Sequence, residues 1–138
     1  MQSPYLLDEY RPVSEETTAV PLETIEGAVP RALHGSFVRN GPNPRFEPLA
    51  RHHWFDGDGM LHAVRFEDGV ARYSSRYVRT DDFGAETSAG KGLFRGLLES
   101  VFDNPEQRGK DTGNTDVLAV GGELLTTHYQ CGLRLYPT

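Results

Sequence analysis

The pair Asp68-Gly69 constrains this chain more than any other feature, because of what stands on either side of it. Before it, Gly59 onward alternates: Met60, His62, Val64 and Phe66 fall on one side, and Leu61, Ala63 and Arg65 on the other. After it, Val70 to Val78 alternates again, with Ala71, Tyr73, Ser75 and Tyr77 sharing a face. Alternation with a period of two is the mark of a half-buried strand. Asp-Gly between two such runs supplies the positive-φ residues of a tight hairpin turn. Residues 59–77 therefore predict an antiparallel hairpin.

The same reading finds a second hairpin near the end. Asp116 to Val120 and Glu123 to Tyr129 are strands around Gly121-Gly122, and Leu133 to Tyr136 begins a third. Upstream, Gly35 to Arg39 reads as a strand that stops at the turn Asn40-Gly41-Pro42-Asn43-Pro44. Residues 1–20, with Pro4 and Pro12, read as an extended arm outside the core. Ile25, Val29 and Leu33 form a short amphipathic motif beyond it. Residues 81–90 read as loop, with Thr87 and Ser88 placed to cap a helix over 91–102. That helix rests on the stripe Leu93, Phe94, Leu97, Leu98, Val101 and Phe102, which Gly90, Gly92 and Gly96 weaken. Asn104-Pro105 stops it, and residues 106–113 form a polar loop.

Fifteen glycines and nine prolines in 138 residues fit a turn-rich chain, and 10% aromatic content argues against disorder. Two hairpins and one helix leave sheet edges open, and an isolated hairpin is marginal in water. The chain thus reads as the first part of a larger β-rich protein: a barrel, a sandwich or a propeller. A net charge of −6 disfavours nucleic-acid binding. Arg72, Arg76 and Arg79 interleave with Tyr73 and Tyr77, which would suit a stacking surface but is read as a strand with one wet face. A single cysteine, Cys131, builds no disulfide framework. The N-terminus has neither a basic region nor an apolar run, so a cytoplasmic protein without a spanning helix is expected.

Candidate chemistry centres on HHWFDGDGML, His52 to Leu61. Asp56, Asp58 and Glu67 match three positions of a calcium loop, but Met60 and Leu61 stand where an oxygen ligand and glycine are required. His52, His53 and His62 suggest a transition metal, yet adjacent histidines in extended chain point to opposite faces. The reading preferred is a tight turn in which glycines supply φ > 0, aspartates bond nearby amides, and Trp54, Phe55 and Met60 anchor against the core. Cys131 with His128 lacks a third group to orient a nucleophile. Gly41, Gly57 and Gly59 form no phosphate loop. No catalytic, cofactor-binding or metal-ligating residue is assigned.

Two stretches carry a resemblance. Gly35 to Pro44 is similar to the RNGPNP signature of the carotenoid cleavage oxygenases, and His53 to His62 resembles that family's next signature. Gly27 to Leu33, Arg76 to Thr80 and Asn114 to Val117 follow in the family's order, so the resemblance covers about residues 21–130. It implies a mainly β chain, the N-terminal portion of a seven-bladed β-propeller with a helical cap, incomplete here. It also implies a 1–20 arm, and residues 21–138 as the first blades, ending before the iron ligands. The implied activity is cleavage of an alkene in a carotenoid, apocarotenoid or stilbenoid by non-haem Fe(II) and O2, with four histidines holding iron. Those histidines fall downstream of this chain, so none is carried over, and no Fe(II) is expected on this chain alone. Many members place a glutamate near the end of the Leu124-Leu125 strand; here Gln130 stands nearby instead. The helical excursion would face the cap core or, in peripheral contact, a membrane that supplies lipophilic substrate. The alternative is a non-catalytic remnant acting as a scaffold.

Overall fold

The computed structural model describes residues 3–129 and 132–136, and within them it is mainly β. Strands β1 (Thr17–Pro21), β2 (Gly35–Pro42), β3 (Gly59–Glu67) and β4 (Val70–Tyr77) form one sheet in the order β1-β4-β3-β2. Strands β5 (Asp116–Val120), β6 (Glu123–His128) and β7 (Gly132–Tyr136) form a second, in sequence order. All pairings are antiparallel.

Both expected hairpins form. Asp68 and Gly69 take φ of 50° and 80°, and Gly121 and Gly122 take 61° and 87°, the positive angles that a two-residue hairpin loop requires. Register follows the alternation: Met60 pairs with Tyr77, His62 with Ser75, Val64 with Tyr73 and Phe66 with Ala71. Because neighbours across a ladder share a face, the apolar set of β3 lies beside the apolar set of β4. Met60 and Tyr77 then meet Phe83 to make a small buried cluster.

Three expectations are corrected. Asn40-Gly41-Pro42 is not a turn: β2 runs on to Pro42, which pairs with Gly59. Proline is tolerated there because it ends an edge strand, where a missing N–H breaks no ladder. The helix is not at 91–102 but at Asp81–Ala89 (α1), in the stretch expected as loop. Thr80 caps it by accepting from Phe83 N, and Asp81 and Asp82 occupy the first turn, where acidic groups suit the helix dipole. Gly90, left-handed at φ 67°, ends it. Thr87 and Ser88 are not caps; their hydroxyls donate back to Phe83 and Gly84 carbonyls inside α1. Beyond Gly90, two further glycines, Gly92 and Gly96, defeat the apolar stripe. Residues 91–100 carry no helix, and two short 3-10 turns, Val101–Asp103 and Pro105–Gln107, follow.

The segment before residue 21 contains structure of its own. Two 3-10 turns, Pro4–Leu6 and Asp8–Tyr10, precede β1, which pairs with the outer side of β4. Polar bonds hold it down. Asn43 Oδ1 accepts from Val13 N, Asn43 Nδ2 donates to Val13 O, and the Tyr77 hydroxyl donates to the same carbonyl. Glu16 accepts from Tyr77 N and pairs with Arg79.

Candidate functional site

The stretch His52 to Leu61 folds as a 3-10 turn, Trp54–Asp56, leading into β3. His53 caps it: its Nδ1 accepts from Phe55 N, while Asp56 Oδ2 accepts from His53 N at 2.7 Å. Asp56 Oδ1 accepts from Leu97 N at 2.8 Å, which draws the 91–100 segment over the turn. The aspartates do bond nearby amides, as expected, since Arg45 N also donates to Asp58 Oδ2.

The role of the glycines differs from expectation. Gly57 has φ −67°, and Gly59 is not left-handed either. Their need for glycine is close approach. A Cβ on Gly57 would stand 2.8 Å from Asn43 N, and one on Gly59 would stand 2.6 Å from Gly113 O. The aromatic anchors are also redistributed. Met60 is fully buried, but Phe55 is 53% exposed, and Trp54 packs against Tyr5 and Tyr10 of the N-terminal segment instead of the core.

Behind the turn lies a buried chain of charges. The Lys110 ammonium sits 2.6 Å from Asp58 Oδ1 and 2.6 Å from Glu86 Oε2. Glu86 Oε1 accepts from Leu93 N. Burial pushes Lys110 toward neutrality, but the two carboxylates outweigh it and its pKa is raised, so it stays an ammonium. Beside it, Arg108 grips Asp82 with two bonds of 2.7 Å, and Asp111 N donates to the same carboxylate. These pairs fasten α1 and the 105–114 loop to the start of β3. A cavity of about 120 Å³ lies alongside, lined in part by Leu49, His52, Phe94, Leu97, Lys110 and His128.

Among the described residues, those singled out from the sequence do not assemble into a metal centre. His53 caps the turn, and His62 is held at 2.7 Å by the Tyr73 hydroxyl on the sheet. His128 is held at 2.8 Å by Thr112 Oγ1. Burial lowers the pKa of His52 and of His62, against Asp56 in the first case and together with Arg39 in the second. Glu67 lies at the far end of β3, paired with Arg65, away from Asp56 and Asp58. Among the described residues no three His, Cys, Asp or Glu side chains converge on a metal-sized site. Arg72 and Arg76 face away from Tyr73 and Tyr77, and Tyr77 is buried, so no stacking surface forms. Cys131 and Gln130 lie outside the described residues. Sequence reasoning missed Lys110, Glu86, Asp82 and Arg108. Its available signal was the pair Thr80-Asp81, a cap followed by acid.

A four-stranded and a three-stranded antiparallel sheet, bridged by a polar helix and loop, are the arrangement that the comparisons with known proteins match. Residues 10–132 match the family described as retinal pigment epithelial membrane protein. A lignostilbene dioxygenase structure from Pseudomonas brassicacearum superposes with a TM-score of 0.79 at 33% identity, over 90% of this chain and 26% of that one. The carotenoid 9,10(9',10')-cleavage dioxygenase 1 of Arabidopsis thaliana is 38% identical, and the isoeugenol monooxygenase of Pseudomonas putida 41%, each over 88% of this chain and 26% of its own length. The chain belongs to the carotenoid cleavage oxygenase family, which is enzymatic, and spans about a quarter of the length of these relatives. A cobalt-substituted Synechocystis apocarotenoid oxygenase is also similar, with a TM-score of 0.68, so at least that member holds a metal. His52 and His128 are both buried and line one cavity, but among the described residues no group of three or more His, Cys, Asp or Glu side chains could hold a metal ion.

Proposed function

We propose that this chain is the N-terminal part of a non-haem Fe(II) oxygenase that cleaves an alkene of a carotenoid, apocarotenoid or stilbenoid with O2. In that reaction the double bond and O2 become two carbonyl groups. The observation that carries the reading is the match over residues 10–132 together with the 0.79 superposition on a lignostilbene dioxygenase. In this reading the chain supplies the first blades, and the buried Asp58–Lys110–Glu86 chain is scaffold. Iron binding and cleavage belong to the rest of the propeller. A cytoplasmic setting suits a chain with one cysteine, and no helix among the described residues is long and apolar enough to cross a membrane. Peripheral membrane contact belongs to the same reading, through the exposed side chains Leu97, Leu98, Val101 and Phe102.

The test is a chimera in which this chain replaces the matching quarter of the Pseudomonas brassicacearum lignostilbene dioxygenase. Retained iron and formation of aldehyde from a stilbenoid are expected. A chimera that folds and holds iron but yields no aldehyde would favour the remnant reading, in which this chain is a scaffold.

A further inference from the structure

The segment 111–116 is the seam between the two sheets. Thr112 O accepts from Gly59 N at 2.7 Å. Asn40 Nδ2 donates to Gly113 O and Asp116 O, and Asn114 Nδ2 donates to Phe55 O and Gly57 O. From the other side β6 reaches this seam through Thr115 N to Thr127 O, through Tyr129 N to Thr115 Oγ1, and through one imidazole. That imidazole is His128, whose Nδ1 lies 2.8 Å from Thr112 Oγ1. Thr112 thus touches β3 with its backbone and β6 with its side chain.

His128 is 5% exposed, and among the described residues its Nε2 has no hydrogen-bond partner. The neutral ring with its proton on Nδ1 satisfies Thr112 and leaves only an unfilled acceptor. A protonated ring leaves a buried charged N–H with nothing to accept it, which is costly in a low-dielectric site. The groups around it do not relieve this. Asp82, on α1, and Asp111, in the seam, attract the charge, but Asp82 already holds Arg108 and the Asp111 amide. Lys110 lines the same cavity as a cation, with Asp58 and Glu86 committed to it. Just past the end of β6 the Tyr129 ring lies tilted against His128, with ring centroids 4.5 Å apart.

We propose that His128 is an acid-sensitive joint: neutral, it seats the second sheet on the Thr112 seam, and protonated, it unseats it. Burial outweighs the two aspartates and holds the imidazole below its ordinary 6.5. The sign follows. Above that value the folded and unfolded chains are both neutral at this site, and no cost is felt. As pH falls below it the unfolded state takes up a proton first, so the seat weakens until the folded ring also titrates.

Native-state hydrogen exchange on the 138-residue chain, corrected for intrinsic rates, tests this by the ratio of β6 protection to β3–β4 protection. The ratio should fall several-fold as pH is lowered from roughly 7.5 to roughly 5, across the range in which an imidazole takes up its proton. His128→Gln should remove the fall, while His52→Gln and His62→Gln keep it. NMR titration of the unsubstituted chain is independent of whether the glutamine variant folds. A His128 ring titrating at or above 6.5, or a ratio that stays flat with pH, overturns the proposal.

Discussion

Gly59 and Gly113 are packed backbone to backbone: a Cβ built on Gly59 would stand 2.6 Å from the Gly113 carbonyl oxygen. Beside this contact, Gly59 N donates to Thr112 O, and Gly59 O accepts from Val78 N. At Gly59 the first sheet therefore meets the seam with no side chain between them. Gly59→Ala forces backbone to move against backbone, the costly kind of overpacking. A loss of about 1–3 kcal/mol or more in urea unfolding is expected. Gly84→Ala, at an open helical position, serves as the control and should be neutral or stabilising. Equal effects from the two would show that the close approach does not matter.

Lys110 carries the second prediction. Its ammonium is shared by Asp58 and Glu86, and all three side chains are nearly buried. Lys110→Met keeps the length of the side chain but leaves two carboxylates facing each other without a cation. Breaking a buried pair in this way costs about 3–5 kcal/mol. The double variant Lys110→Met with Glu86→Gln should recover part of it. A Lys110→Met chain with unchanged urea midpoint would remove the cluster from the account of stability.

Much of the fold was readable because β3 and β4 state it twice, once in alternation and once in Asp68-Gly69. The cross-strand pairs Met60–Tyr77 and Val64–Tyr73 follow from that pattern alone. The helix was misplaced because α1 is polar: it is held by Thr80, by Gly90 and by buried charges, none of which makes an apolar stripe. The apolar stripe at 93–102 lies on glycine-broken backbone and stays exposed at Leu97, Leu98 and Phe102. The turn at Asp56 to Gly59 was legible as a turn but not as a contact. Its glycines serve Asn43 and Gly113, neighbours that sequence distance conceals. The buried charges were illegible for the same reason. Lys110 meets Asp58 and Glu86 only after the chain has folded back.

Acid should act on Asp82. Burial pushes its carboxyl up, but the Arg108 guanidinium and the Asp111 amide outweigh this and hold it below its ordinary 3.8. A carboxyl depressed in the folded state contributes stability that is full above 3.8 and is lost as pH falls through the folded value. Urea midpoints measured downward from about pH 5 should therefore fall more steeply for the unsubstituted chain than for Asp82→Asn. Parallel slopes would mean that the Arg108 pair does not survive in solution.

The last prediction concerns the exposed stretch after α1. Phe102 is 74% exposed, and Val101, in the same 3-10 turn, and Leu97 and Leu98, just before it, are exposed too. Single exposed apolar residues are ordinary, whereas a contiguous group marks a contact surface. If lipid is what it meets, Leu98→Asp with Phe102→Asp should reduce sedimentation with neutral phosphatidylcholine vesicles several-fold, each buried aromatic or aliphatic side chain contributing about 1.5–3 kcal/mol. Neutral vesicles are the informative choice, since a chain of net charge −6 gains nothing from an anionic surface. The fold should be untouched, because neither side chain belongs to the Met60, Tyr77 and Phe83 cluster. Unchanged thermal unfolding together with lost sedimentation assigns the stretch to a membrane. Unchanged sedimentation assigns it to protein packing instead.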